Sequence, residues 1–244
     1  MANPIKIFDT VEELAQYFAS LLATRINETP DGRYFSWVLS GGSTPECVFR
    51  KIASSFRGTI DWNKVKVFWG DERCVGPKDK ESNYKMAREN LLGQIPIPAS
   101  NIFRIRGEEN PAIEVVRYAE QFVRQVKPHH GIPQADFVML GLGEDGHTAS
   151  IFPSNIDLFS SDKFFDVAEH PDTGQKRITA TGKIINHAKF VVILTTGESK
   201  ASKVVQIINQ LSGWEQLPAS HVCPENGELI WMLDQKSASR LISG

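Results

Sequence analysis

Tyr34–Phe56, YFSWVLSGGSTPECVFRKIASSF, runs from a mostly apolar segment through two glycines into a stretch with apolar residues at helical spacing. A short apolar run closed by turn residues reads as a buried strand, here Tyr34–Leu39. Ser40–Thr44 then reads as a turn, and Pro45–Phe56 as a helix, because proline is tolerated in the first helical turn. Strand, tight turn and helix in about twenty residues form the repeating unit of an α/β protein.

The same unit recurs on either side. Upstream, apolar Ile5–Phe8 precedes Thr10 and Glu13 at capping-box spacing, then Leu14, Phe18, Leu21, Leu22 and Ile26 on one helical face. Downstream, Val65–Trp69, Phe137–Leu140, Phe190–Leu194 and Leu229–Leu233 read as strands, and Ser82–Leu92, Ala112–Val126 and Ser199–Leu211 as helices. The alternation predicts a mostly parallel, Rossmann-like α/β sheet flanked by helices. With short connectors, no repeat and no linker, residues 1–244 read as a single domain.

Composition narrows the function. The 244 residues are 41% hydrophobic, ample for a full core, and their formal net charge of -2 offers no global attraction to nucleic acid or to anionic membranes. No stretch approaches the roughly 18 apolar residues of a membrane span, and Met1–Thr10 lacks the basic-then-apolar order of a signal peptide, so a cytoplasmic protein is expected. Cys47, Cys74 and Cys223 are odd in number, far apart and without CxxC spacing, which implies neither a disulfide framework nor a zinc ribbon. His129 and His130, adjacent and just after Pro128, suit a solvated loop better than metal ligation. Oligomeric state is not legible, and a monomer is compatible with the composition.

Chemistry concentrates where strands end. Val138–Pro153, VMLGLGEDGHTASIFP, carries Asp145 and His147 in a glycine turn after a strand, and histidine exchanges protons near neutral pH. Gly141, Gly143 and Gly146 also satisfy the GxGxxG spacing of a dinucleotide turn, but Pro153 would cut short the long helix that such a turn needs. In SGGSTP, residues 40–45, Gly42, Ser43 and Thr44 stand at a helix start whose free N–H groups and hydroxyls suit a phosphate. A plain tight turn with Ser43 or Thr44 as N-cap fits equally well. FWGDER, residues 68–73, sets Asp71, Glu72 and Arg73 at a strand end before Ser82, Asn83 and Tyr84, so Arg73 reads either as a substrate-facing cation or as part of a solvated charge cluster. Arg177 enters a strand and Lys200 opens a helix, where a lysine opposes the macrodipole and a bound anion would relieve the cost.

Taken together, SGGSTP, DER followed by SNY, GLGEDGHTASIFP, and RIT followed by GESKA resemble, in order and spacing, the pattern of the 6-phosphogluconolactonases across nearly the whole chain. The wider group includes glucosamine-6-phosphate deaminases, whose corresponding segments resemble DEY and DGHIAFNEP. Arg73 stands where that branch has tyrosine and Phe152 where it has its catalytic glutamate, so the lactonase branch is favoured, whereas Asp71 is common to both. The resemblance implies hydrolysis of 6-phospho-D-glucono-1,5-lactone, a phosphorylated sugar lactone, without metal or cofactor. It implies that His147 activates water, that Asp145 either orients the imidazole or serves the turn, and that Arg73 faces the oxyanion, the sugar hydroxyls or the product carboxylate. Gly42, Ser43, Thr44, Asp71, Arg177 and Lys200 would hold substrate and phosphate. A sugar-phosphate deaminase or isomerase, and a sensor that binds without turnover, remain the alternatives.

Overall fold

Burial of the apolar runs organises the chain into a wall of parallel strands. A computed structural model describes residues 4–241. In chain order it contains β1 (Ile5–Phe8), α1 (Val11–Asn27), β2 (Phe35–Leu39), α2 (Ser43–Ser55), β3 (Val65–Trp69), β4 (Asp71–Arg73), α3 (Asn83–Ala87), α4 (Pro111–Gln125), β5 (Pro128–His129), β6 (Ile132–Pro133), β7 (Phe137–Gly141), β8 (Phe165–Glu169), β9 (Lys176–Ala180), α5 (Gly182–Ile185), β10 (Phe190–Thr195), α6 (Ala201–Ile208) and β11 (Glu228–Asp234). Six of the strands form one sheet in the order β1-β11-β10-β7-β2-β3, every pairing parallel. Helices on the sheet bury both of its faces, so β2 and β10 are buried at every position and read as apolar runs rather than as alternating patterns.

Local chemistry sets the ends of the elements. Thr10 Oγ1 accepts the Glu13 amide at 3.1 Å, while Glu13 Oε2 accepts the amide of Asp9 and not that of Thr10, so the expected cap reaches one residue further back. From there α1 turns Leu14, Phe18, Leu22 and Ile26 into the core. At the amino ends of β2 and β7, Asp136 accepts the Ser36 amide and hydroxyl, is bonded by Lys189 at 2.8 Å and pairs with Arg33. Burial pushes the Asp136 carboxyl up, but the Lys189 and Ser36 hydrogen bonds and the two cations outweigh it, and it sits below the usual carboxylate range.

The structure departs from the sequence reading at several places. Helix α2 begins at Ser43, two residues earlier than expected, with Gly42 as its N-cap. Ser43 and Thr44 are therefore the first helical residues, which removes the reading in which one of them caps the helix. The helix expected over 199–211 is regular only over Ala201–Ile208, and the one over 82–92 narrows to α3 followed by a widened turn over Arg88–Leu92. After Gly141 the chain enters no α-helix: a 3₁₀ segment begins at Pro153, and the dinucleotide reading falls with it.

A second sheet, antiparallel and ordered β4-β9-β8, was only partly foreseen, at Arg177. The chain crosses into it at Gly70, whose N–H bonds Leu39 O of the main sheet at 2.8 Å and whose C=O accepts the Ala180 amide of β9 at 2.6 Å. Just before the crossing, the fully buried Tyr118 of α4 accepts the Trp69 amide at 2.8 Å and donates to Trp69 O, closing the end of β3. Cys47, Cys74 and Cys223 are free thiols. Among the described residues no helix is long and apolar enough to cross a membrane, and no His, Cys, Asp and Glu cluster fits a metal.

Candidate active site

Strand order places the site. From β2 the chain moves to β3 on one side, and from β7 to β10 on the other, so the loops that leave the carboxyl ends of β2 and β7 part and leave a crevice between them. The β2 loop is Ser40–Gly42 and the β7 loop carries Asp145 and His147; both line a cleft of about 470 Å³. The small antiparallel sheet forms its further wall, with Arg73 and Arg177. All nine residues singled out from the sequence, His147, Asp145, Arg73, Gly42, Ser43, Thr44, Asp71, Arg177 and Lys200, line this one cleft, although they span 159 positions from first to last in the chain.

The β7 turn is built around the imidazole. Asp145 Oδ1 accepts the His147 amide at 3.0 Å and lies 2.6 Å from His147 Nδ1. Gly143 lies directly beneath, where an added Cβ would collide with the His147 ring and stand 2.7 Å from Asp145 Oδ1, so only glycine fits. Burial pushes the Asp145 carboxyl up, but the hydrogen bond and charge of His147 more than reverse this, holding it at about 2. An ionised carboxylate only accepts, so Nδ1 is the donor and Nε2 of the neutral ring carries the free lone pair. The other face of the ring packs on Phe152, centroids 4.8 Å apart. This arrangement can take a proton at Nε2 and hold the resulting imidazolium against a carboxylate.

Opposite stand two guanidiniums, with Asp71, Glu72 and Glu81 near Arg177 but none paired to it. Arg73 and Arg177 are register partners on β4 and β9, and among the described residues neither forms an ion pair. Both Nε atoms are buried without a hydrogen-bond partner, Arg73 Nη1 reaching only the Glu81 carbonyl. Burial and then the neighbouring Arg73 lower the proton affinity of Arg177. Two like charges on neighbouring strands of a half-buried wall repel each other, a cost that anionic groups of a bound substrate would relieve.

At the third side, Gly42 has φ of +107°, which favours glycine, and having no side chain it leaves the first amides of α2 uncapped. Thr44 Oγ1 meets Thr196 Oγ1 at 2.7 Å, joining the start of α2 to the end of β10. Lys200, the N-cap of α6, places Nζ 3.6 Å from Glu144, whose carboxyl the Ser199 hydroxyl and the Lys200 charge hold below its ordinary value.

Asp71 is 4% exposed, and its carboxylate is already engaged: Ser150 Oγ donates to Oδ2 at 2.6 Å, and Asn83 Nδ2 reaches the Asp71 carbonyl at 3.0 Å. Because the Ser150 amide also bonds Thr179 Oγ1 of β9, this network ties the histidine turn to the sheet that carries the arginines. Glu72, beside Asp71, is not solvated either. It accepts the amides of Arg73, Asn83 and Tyr84 and the Ser82 hydroxyl, anchoring SNY behind the site, and burial raises its carboxyl above the ordinary range. Sequence reasoning missed Ser150, Thr196, Glu144, His170 and Asp172, all of which lie in or just behind the cleft. The last two sit in HPDTG between two short apolar runs, which is a strand–turn–strand signal.

An α/β cleft with a carboxylate-held histidine, paired cationic side chains and an open helix start has the shape and charge that suit a small anionic ligand. The chain belongs to the family described as glucosamine-6-phosphate isomerases/6-phosphogluconolactonase, whose pattern it matches over residues 9–231. It is 42% identical over 207 residues to a 6-phosphogluconolactonase of Haemophilus influenzae, covering 84% of this chain and 86% of that one. To the 6-phosphogluconolactonase of Treponema pallidum it is 38% identical over 202 residues, 82% of each. A solved crystal structure of a devB protein superposes with a TM-score of 0.91 at 37% identity, over 100% of both chains.

Proposed function

We propose that this protein hydrolyses 6-phospho-D-glucono-1,5-lactone to 6-phosphogluconate, the second step of the oxidative pentose phosphate pathway, with His147 as general base. Its similarity to the lactonases above supports the substrate. The observation that carries the mechanism is the 2.6 Å contact of Asp145 Oδ1 with His147 Nδ1, which leaves Nε2 as a base open to the cleft.

Nε2 takes a proton from water as its oxygen bonds to the lactone carbonyl carbon, a role worth roughly 10² to 10⁴ in rate. The carbonyl pair moves onto oxygen, where Arg73 meets the developing charge. As the tetrahedral intermediate collapses, the bond from that carbon to the ring oxygen breaks, and His147 returns its proton to the departing oxygen as a hydroxyl. Asp145 holds the ring and offsets its transient charge. Gly42, Ser43, Thr44, Arg177 and Lys200 grip the phosphate, so that binding remote from the reaction positions the carbonyl. Asp71, whose carboxylate Ser150 holds from behind the cleft and whose carbonyl Asn83 bonds, lines the cleft and binds the substrate directly.

The test is lactone hydrolysis, corrected for the spontaneous rate, by wild type and His147→Asn, with ammonia release from glucosamine 6-phosphate as a second assay. The expected result is wild-type hydrolysis without ammonia, and a folded variant that has lost about 10²-fold or more in kcat. Ammonia release at a rate comparable to hydrolysis would transfer the protein to the deaminase branch, and near-wild-type turnover by His147→Asn would remove the histidine as base.

A further inference from the structure

We propose that the β8–β9 hairpin reads the sugar hydroxyls of the substrate, with His170 as donor and Asp172 as acceptor. The inference rests on the lactonase reading and adds to it residues outside the motifs of the resemblance. Both residues line the cleft, in the connection Glu169–Lys176. The His170 backbone is held on both sides, its N–H by Gln175 O at 3.0 Å and its C=O by the Gly174 amide at 2.9 Å, so its ring is mounted on a closed turn. The ring then packs edge-to-face on Phe152, centroids 5.1 Å apart, on the same aromatic platform that supports His147.

That mounting decides which nitrogen serves the cleft. His170 Nδ1 accepts the Asp172 amide at 3.3 Å, so in the neutral ring the proton sits on Nε2, which becomes a donor where Nε2 of His147 is an acceptor. The Asp172 carboxylate is exposed and forms no ion pair among the described residues, even though Arg177 follows on the adjoining strand. A carboxylate would repel the phosphate and the product carboxylate, so it belongs beside the uncharged middle of the substrate, whose hydroxyls each donate and accept. Phe152, the apolar position between the two histidines, separates the ring that moves a proton from the ring that only recognises.

The experiment compares kcat/KM for the phosphorylated lactone and its 2-, 3- and 4-deoxy analogues in wild type, His170→Phe and His170→Gln. Phenylalanine keeps the packing on Phe152 and loses the donor; the glutamine amide restores a donor at similar reach. Wild type is expected to disfavour one deoxy analogue by about tenfold, the size of one lost hydrogen bond. In His170→Phe the parent should fall by a similar factor and that preference should vanish, the other two ratios standing unchanged, while His170→Gln recovers most of both. A His170→Phe protein that keeps every wild-type ratio, or a wild type indifferent to all three deletions, overturns the inference while leaving the reaction intact. A wild type that hydrolyses none of the lactones overturns the reaction and the inference together.

Discussion

Replacing Asp145 by asparagine tests the site at its most informative atom pair. Asparagine is nearly isosteric and its Oδ1 still accepts the His147 amide, now 3.0 Å from Asp145 Oδ1, so the turn should hold. One thing is lost at the ring. The 2.6 Å contact at Nδ1 no longer involves a charge, and a hydrogen bond to a charged group is worth about 1.5–3 kcal/mol, which converts to roughly 10- to 150-fold when the imidazolium forms. Because Oδ1 makes both contacts, an amide oxygen that holds the His147 N–H also keeps the ring proton on Nδ1 and leaves Nε2 free. Alanine removes the charge and that acceptor together. Asp145→Asn should therefore lose roughly 10- to 150-fold in kcat with KM little changed, and Asp145→Ala should be slower still. Initial rates of acid release from freshly generated lactone, corrected for spontaneous opening, measure this, with circular dichroism and 6-phosphogluconate calorimetry confirming that fold and binding survive. An Asp145→Asn enzyme within threefold of wild type, or one slower than Asp145→Ala, would refute the orientation argument.

Lys200→Ala and Arg177→Ala should each raise KM by roughly 10- to 150-fold, the equivalent of one charge-assisted contact of about 1.5–3 kcal/mol, with inorganic phosphate as a competitive inhibitor of wild type; unchanged KM in both would take them out of the phosphate grip. Asp136→Asn should cost about 2–3 kcal/mol in urea unfolding near neutral pH, since it strips the shared partner from Lys189 and Arg33, which are themselves partly hydrated. The folded-state value of Asp136 is lowered, so its contribution is complete above the unfolded carboxylate value and disappears as pH falls through the folded one. The gap between wild type and variant should close on acidification, and a constant gap would deny the linkage.

The parallel sheet was legible because its inner strands are buried on both faces and stand as apolar runs: Tyr34–Leu39 and Phe190–Leu194 need no knowledge of their neighbours to be read. The candidate residues were legible for a related reason, since tight turns at strand ends demand glycine, as at Gly42 and Gly143, and so flag the loops that carry His147 and Ser43. The small sheet was not. Asp71–Arg73 is three charged residues with no apolar period, and it becomes a strand only because β9 offers it a partner and Ser150, Ser82 and Asn83 satisfy its carboxylates.

By itself, then, the sequence determined where the strands of the parallel sheet, their helices and the glycine turns lie, because those follow from the period of burial and the local freedom of the backbone. Which residues face one another was decided only by the tertiary structure. Strand order brings the β2 and β7 loops to one crevice, the Gly70 crossing swings Arg73 round to Arg177, and the β8–β9 hairpin delivers His170 to the ring of Phe152. Each of these is a long-range pairing whose partners lie far apart in the chain, and their energies, the desolvation of two arginines and the single proton shared by Asp145 and His147 among them, exist only once the chain has closed.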